Sequence, residues 1–273
     1  PSSTKLNLNF AGYNGKKGCL FFQPTGGNGG NKDILNGAYL NSRQITLSST
    51  TGISEGDFIE ITQDNDASLM YDAPGWPGQT TAEVTASGNG WGARAVGEIA
   101  LVIAKNGNTL WLDRGLHHTY RQDLNPKAKR ISMVKNSGIE NLKLEKLDSD
   151  SSYNVYMDYA YNCWYRNVYS HYTVKGHISI QHAYHCEIRD SYFYNSHRFG
   201  STGMAYGADM KFHCTSNLVE NNIFRKLRHA MIVSIGCNGN VYGYNYSRES
   251  QDQLGAGVNT KCDISLHGFY PFM

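Results

Sequence analysis

The sequence is short of charge, of proline, of cysteine and of any long apolar run, and each shortage removes a class of protein. Charged residues occupy only 18% of 273 positions and sum to +2. No broad field of one sign is therefore present to grip a nucleic acid. The one compact basic run, Lys127, Lys129 and Arg130, reads as a solvated loop. No apolar stretch approaches the ~18 residues of a membrane-spanning helix. Six cysteines are too few to staple a chain of this length, and the absence of C-x2-C and His-x3-His pairs excludes the usual structural zinc motifs. The glycine cluster in PTGGNGGNKD opens no helix, so it is a loop and not a phosphate cradle. The chain opens at Pro1 without methionine or a leader, as expected of a processed segment.

Glycine (29) and tyrosine (19) are abundant, the texture of a turn-rich β protein. More telling is a repeat. When VYMDYAYNCWYRNVYS (155–170) is laid on ISIQHAYHCEIRDSYF (178–193), Met157 falls on Ile180, Cys163 on Cys186, Tyr165 on Ile188 and Asn167 on Asp190, each 23 positions apart. Further copies carry Met210, Val219 and Asn221, then Ile232, Val241 and Gly243 at a spacing of 22, and another begins at Ile264. Short alternating strands at a fixed period predict an all-β solenoid, a right-handed parallel β-helix. Its end, DISLHGFYPFM, starts a fifth rung and stops before that rung's turn. An open apolar end calls for a cap, further sequence or self-association.

Three regions follow from the texture. Residues 1–35 hold short N-terminal strands. Residues 36–130 form a hairpin-rich module, inserted into or preceding the solenoid, with a two-strand signal around Asn106-Gly107-Asn108. Residues 131–273 are the rungs. Inside the module, residues 64–94 make a long excursion of the kind that serves as a lid or binding loop. Trp76 and Trp91 on it offer either flat platforms for sugars or a hydrophobic cluster.

The runs NSGIENLKLEKL, SYNVYMDYAYNCWYRNVYS, NLVENNIFRKLRHAM, TTGISEGDFIEITQDND and GNTLWLDRGL resemble the pectate-lyase-like superfamily of secreted right-handed β-helix proteins. The resemblance spans roughly residues 36 to 271. It implies the fold and a secreted or cell-surface location. It leaves the reaction open, since that superfamily holds lyases, hydrolases, epimerases, phage depolymerases and adhesins on one scaffold.

Alternation fixes which side chains leave the solenoid. Taking Met157, Ile180, Met210, Ile232 and Ile264 as inward puts Tyr159, His182, Phe212, Ser234 and Leu266 inward as well, with His182 and Ser234 the misfits. The outward columns become Tyr156, Ser179, Asp209, Met231, Asp263; then Asp158, Gln181, Lys211, Val233, Ser265; then Ala160, Ala183, His213, Ile235, His267. Asp158, Gln181, Asp209 and His267 thus become candidate sugar contacts, and His229, expected at the turn after Phe224, is a further candidate for holding a substrate carboxylate. Elimination α to a uronate carboxylate needs a base and a cation. Lys211 is the candidate base, His213 or His267 its assistant, and Arg228 a bidentate partner for the substrate carboxylate. Asp209 with Asp263 are candidate Ca2+ ligands. Hydrolysis by two carboxylates stays open on the same residues.

Other columns are structural. Asn167, Asp190, Asn221 and Gly243 suit left-handed corners with stacked amides, and Phe193, Phe224 and Tyr246 an aromatic stack. Cys163 and Cys186 are neighbours on successive rungs, a disulfide or a pair of free thiols alike. The sequence therefore predicts a β-helix that binds, and by one reading cleaves, an acidic polysaccharide. The alternative is a non-catalytic module that assembles through its open end.

Overall fold

A computed structural model describes residues 4–9, 17–66, 93–199 and 203–251, and the backbone of 262–267. The chain enters the solenoid at once. Strand β1 (Lys5–Leu8) and strand β2 (Gly18–Phe22) are followed by six strands of another kind: β3 (Lys32–Asn36), β4 (Gln44–Leu47), β5 (Phe58–Gln63), β6 (Val96–Asn106), β7 (Thr109–Leu112) and β8 (Lys127–Ile131). These close an antiparallel barrel in the order β3-β4-β7-β6-β5-β8. Ile34, Ile45, Leu47, Ile59, Ile61, Val102, Leu110 and Leu112 fill it, the apolar half of each alternating strand. The β6–β7 connection is the expected tight hairpin, with Asn106 opposite Thr109 and Gly107 at φ +57.

The solenoid then resumes with β9 (Val134–Lys135), β10 (Gly138–Lys146), β11 (Tyr153–Asp158), β12 (Ala160–Tyr161), β13 (Trp164–His171), β14 (Gly176–Gln181), β15 (Glu187–Arg189), β16 (Tyr192–Tyr194), β17 (Tyr206–Lys211), β18 (Leu218–Glu220), β19 (Ile223–Arg225), β20 (His229–Ser234), β21 (Val241–Gly243), β22 (Tyr246–Arg248) and β23 (Cys262–His267). A front sheet runs β2-β11-β14-β17-β20-β23, all parallel. A back sheet starts with β1, β10 and β13 and divides at a bend into β15-β18-β21 and β16-β19-β22. This is the right-handed β-helix. Because β1 pairs with β10 and β2 with β11, the barrel is an insertion within the solenoid, and the N-terminal strands belong to the rungs.

Val155, Met157, Ile178, Ile180, Ala208, Met210, Ile188, Phe193, Val219 and Phe224 pack into one internal pile. Phe193 and Phe224 stack at 4.9 Å. The bend of the back sheet is built as the sequence suggests. Asn141, Asn167, Asp190 and Asn221 adopt φ between 51 and 56. Asn167 Nδ2 donates to Asn141 Oδ1, and Asn221 Nδ2 to Asp190 Oδ1, at 2.8 Å each. A second ladder of buried amides lies inside, where Asn217 donates to Asn240 and Asn222 to Asn245.

The expected register slips by one residue at β20. Met210 pairs with Val233, not Ile232, and Asp209 pairs with Ile232. The spacing is therefore 23 here too (233 − 210), and β23 follows with Leu266 opposite Val233. The run Met231-Ile232-Val233 is apolar throughout, so alternation could not choose between registers. The same slip puts Tyr244 (φ +53) in the left-handed column in place of Gly243. Tyr246 faces outward beside Ile223 and does not join the Phe193–Phe224 stack. Cys163, Cys186 and Cys214 are buried free thiols.

The barrel docks on the corner that follows the front strands. Phe58, Ile99, Ile131 and Met133 close over Tyr184, with Tyr159 and Tyr161 at the margin. Thr215 Oγ1 accepts from the Ile99 N–H at 3.0 Å, and Asn238 Nδ2 donates to the Gly97 carbonyl at 2.7 Å. Lys127, Lys129 and Arg130 are not loop residues. They lie on β8, where Lys127 pairs with Asp33 and Lys129 with Glu60.

Candidate functional site

The outer side of the front sheet is where the register places the candidate sugar contacts, and it is not an ordinary solvated ladder. The column Tyr156, Ser179, Asp209, Ile232 is 1% exposed or less at every position. Beside it run Tyr153, Gly176, Tyr206 and His229, and on the other side Asp158, Gln181 and Lys211. Polar groups this dry must satisfy one another.

They do so around Asp209. Its Oδ2 accepts from the Tyr153 hydroxyl at 2.7 Å and from Ser179 Oγ at 3.4 Å. Lys211 Nζ lies 2.9 Å away on the same strand. Oδ1 is buried with no hydrogen-bond partner among the described residues. Arg228, 3% exposed, donates to the Tyr206 hydroxyl at 3.2 Å. The guanidinium of Arg228 and the ammonium of Lys211 stand 5.5 and 5.7 Å from the Tyr206 ring centre, within cation–π range. His229 leans on that ring from the next strand at 5.5 Å. Lys211, with 24% of its side chain exposed, is the opening of the cluster to solvent.

These contacts set the protonation states. Burial lowers the Lys211 ammonium, but the Asp209 carboxylate outweighs it and the net shift is upward. Lys211 is thus held as a cation, which opposes its sequence-derived role as a base. Burial and the neighbouring Asp209 push the Tyr153 phenol up, so it donates and does not ionise.

A second constellation lies where this face meets the barrel. The corner residues Tyr159, His182, Phe212 and Ile235 all have φ between 47 and 57. Tyr159, His182 and Phe212 turn out of the solenoid and do not enter it as the alternation implied. Tyr159 and His182 stack at 4.2 Å, and His182 and Phe212 at 5.5 Å. His182 Nδ1 is 3.0 Å from Asp158 Oδ1, so Asp158 is bound to an imidazole. His213 is an extra residue in its rung. The spacing from Gln181 to Lys211 is 30, and from Tyr184 to Thr215 it is 31. Such a one-residue insertion re-aims a side chain, and His213 points at the barrel. There it meets Glu60 Oε1 through Nδ1 at 2.7 Å and the Arg94 carbonyl through Nε2 at 3.1 Å.

Glu60 is the residue that the sequence reading missed. Its signal was present, because Ile59 and Ile61 fill the barrel and leave Phe58, Glu60 and Thr62 facing away from it. What the sequence lacks is the docking that turns this strand toward the corner. Burial would raise the Glu60 carboxyl, but when the two imidazoles are protonated the hydrogen bond from His213, with the charges of His213, His182 and Lys129, holds it well below the usual carboxylate range.

The other predicted residues fall elsewhere. Gln181 is buried beside Lys211. Ser265, not Asp263, takes the position of Asp209 two strands on, so the register does not bring Asp209 and Asp263 into one column. His267 lies opposite Ser234 on β23, in the column of Lys211 and not that of His213. Trp76 and Trp91 lie outside the described residues. A separate concavity of about 430 Å³, lined by Gln23, Thr25, Asp57, Arg130, Ser132 and Lys135 among others, sits between the loop after β2 and the barrel. It contains none of the predicted site residues. Among the described residues no helix is long and apolar enough to cross a membrane.

No protein-family profile and no curated protein matches this sequence. Solved structures do. The chain is similar to the tailspike of Pseudomonas phage phi297 (TM-score 0.56, 12% identity) and to the tailspike protein of Pseudomonas phage LKA1 (TM-score 0.54, 12% identity), each likeness covering 89% of this chain and 45% of the other. A weaker likeness, TM-score 0.45 at 14% identity over 80% of this chain and 39% of the other, is to a tailspike of Acinetobacter baumannii bacteriophage AP22 in complex with capsular saccharide. The chain thus spans less than half the length of these tailspikes, and at such identities what it shares with the first two is the β-helix fold.

Proposed function

We propose that this chain is a polysaccharide-binding β-helix of the tailspike type, with the outer side of the front sheet as its binding face and an acidic glycan as its ligand. The observation that carries the proposal is the cluster around Asp209. A carboxylate, an ammonium, a guanidinium, an imidazole and two phenols are gathered and nearly dried on the outside of a sheet, where stability alone asks only for solvated residues. Lys211 supplies positive charge for a sugar carboxylate, and the buried Arg228 guanidinium on the other side of the Tyr206 hydroxyl adds to the positive field. Lys211, partly exposed, is the group a glycan meets first, and the Tyr206 ring forms an apolar wall behind it. If the bound glycan is cleaved, elimination is the reaction that these groups favour. The cations neutralise the uronate, and His229 takes the α proton, because Lys211 already holds one. The carbon–carbon double bond then forms as the glycosidic C–O bond at the β carbon breaks, and the departing oxygen takes a proton from water.

The test is retention of the protein on acidic polymers (pectate, alginate, glycosaminoglycans) against neutral glucans, followed by absorbance at 235 nm for unsaturated products. Binding to one acidic polymer, weakened by salt and reduced about tenfold or more in Lys211→Ala, the loss of one charge-assisted contact, is the expected result. Equal retention on neutral glucans, or an unchanged Lys211→Ala, would overturn the assignment of this face.

A further inference from the structure

Glu60 comes from the barrel, and His182 and His213 from successive corners of the solenoid. Their nearest donor atoms all lie within 4.8 Å of one another. We infer that these three side chains form a binding site for one divalent transition-metal ion, with zinc the best-suited class.

The hydrogen bonds on the far side of each imidazole are the reason. His213 Nε2 faces the Arg94 carbonyl, which only accepts, so Nε2 carries the hydrogen. His182 Nδ1 faces the Asp158 carboxylate, which fixes the hydrogen on Nδ1. In the neutral tautomers, the remaining nitrogens, His213 Nδ1 and His182 Nε2, present lone pairs to the same oxygen, Glu60 Oε1, at 2.7 and 3.8 Å. Two lone pairs and a carboxylate converging on one point require a cation there. Outer carboxylates and carbonyls that orient ligand imidazoles in this way are the usual second layer of a metal site. Two histidines and one glutamate form a recurrent zinc set with one position left open. With metal–ligand distances of about 2.0–2.2 Å, tetrahedral coordination separates adjacent donor atoms by about 3.3 Å, between the two distances observed. Lys129 engages the other oxygen, Oε2, at 2.6 Å and leaves Oε1 available.

The place is shaped for the His213 ring. A Cβ on Gly97 would come within 2.8 Å of it, and one on Gly236 within 2.9 Å, so two glycines hold the imidazole between backbones. Glu60 and His213 are buried, and His182, with 18% of its side chain exposed, marks the way in. None of this was visible as a motif, since Glu60 lies 122 positions before His182 and 153 before His213.

The experiment is titration of the metal-stripped protein with Co2+, read as visible d–d absorption, and with Zn2+ by calorimetry. One equivalent per chain with a tetrahedral cobalt spectrum, displaced by Zn2+ and not by Ca2+ or Mg2+, is expected. His182→Ala, at the exposed edge, should weaken binding at least tenfold, and Asp158→Asn about 10- to 100-fold, the range for an outer partner. Circular dichroism would confirm that both variants are folded. A folded wild-type chain that takes up no Co2+ or Zn2+ would overturn the inference and leave a protonated His213 as the cation. Uptake unaffected by His182→Ala would overturn it equally.

Discussion

The two sheets of the solenoid have the same period, the same alternation and the same apolar pile between them, yet their outer sides differ. The back sheet carries what alternation leads one to expect. Arg166 pairs with Glu140 at 2.6 Å, and Arg189 reaches toward Glu220 at 3.7 Å, all of them partly solvated. The front sheet carries Tyr156, Ser179 and Asp209 in near-complete burial. Alternation says whether a side chain leaves the solenoid and says nothing about what covers it afterwards. A polar residue on an outer column is therefore inexpensive on one face and must be fully partnered on the other.

Removing one member of each set should expose that difference. Asp209→Ala strands the Lys211 ammonium and the Tyr153 hydroxyl in a dry site, and a cost of about 3–5 kcal/mol is expected, read from the urea midpoint. If Asp209→Ala were as mild as a surface change, the front face would be wet and the contrast would fail.

Acid should sharpen the contrast next. His177, fully buried on the inner side of the front sheet, donates from Nε2 to the Asn195 carbonyl at 3.1 Å and accepts from Ser170 at 2.8 Å through Nδ1. Burial holds it down to about 3, while in the unfolded chain it titrates near its ordinary value of about 6.5. The unfolded state binds the extra proton between these values. Stability contributed by the neutral ring is therefore complete above pH ~6.5 and declines as pH falls toward 3, by at most about 1.4 kcal/mol per pH unit. Urea unfolding across that window should show the slope, and a flat profile would mean that His177 is not sealed in. Smallest is Arg166→Ala on the back face, where the loss of an exposed pair should cost under about 1 kcal/mol in the same assay.

The fold was legible because its signals are local and repeated. Asn141, Asn167, Asp190 and Asn221 mark a corner on every turn, and Met157, Ile180 and Met210 mark the pile. The inward assignment failed at the corner, where left-handed Tyr159, His182 and Phe212 turn out and Ala160 and Ala183 turn in. Strand pairing was misread at Met231-Ile232-Val233, where three consecutive apolar residues erase the alternation. That single slip moved Asp263 into the column of Asp209, where Ser265 stands. The site was half legible. Asp209, Lys211, Arg228 and His229 do gather. The direction of the Lys211 shift was not readable, since it depends on a carboxylate drawn within 2.9 Å in a covered site. His182 showed itself only as a misfit among inward residues, and Glu60 not at all.

The inserted barrel dictates the order in which the molecule can be assembled. Strand β2 ends at Phe22 and finds its neighbour only at Tyr153, 131 positions later. The hairpins in between close over short spans, and local contacts form faster than distant ones. The barrel is therefore the part able to mature while the lowest coil still waits for its partner strand, and each later coil then has a finished edge on which to grow.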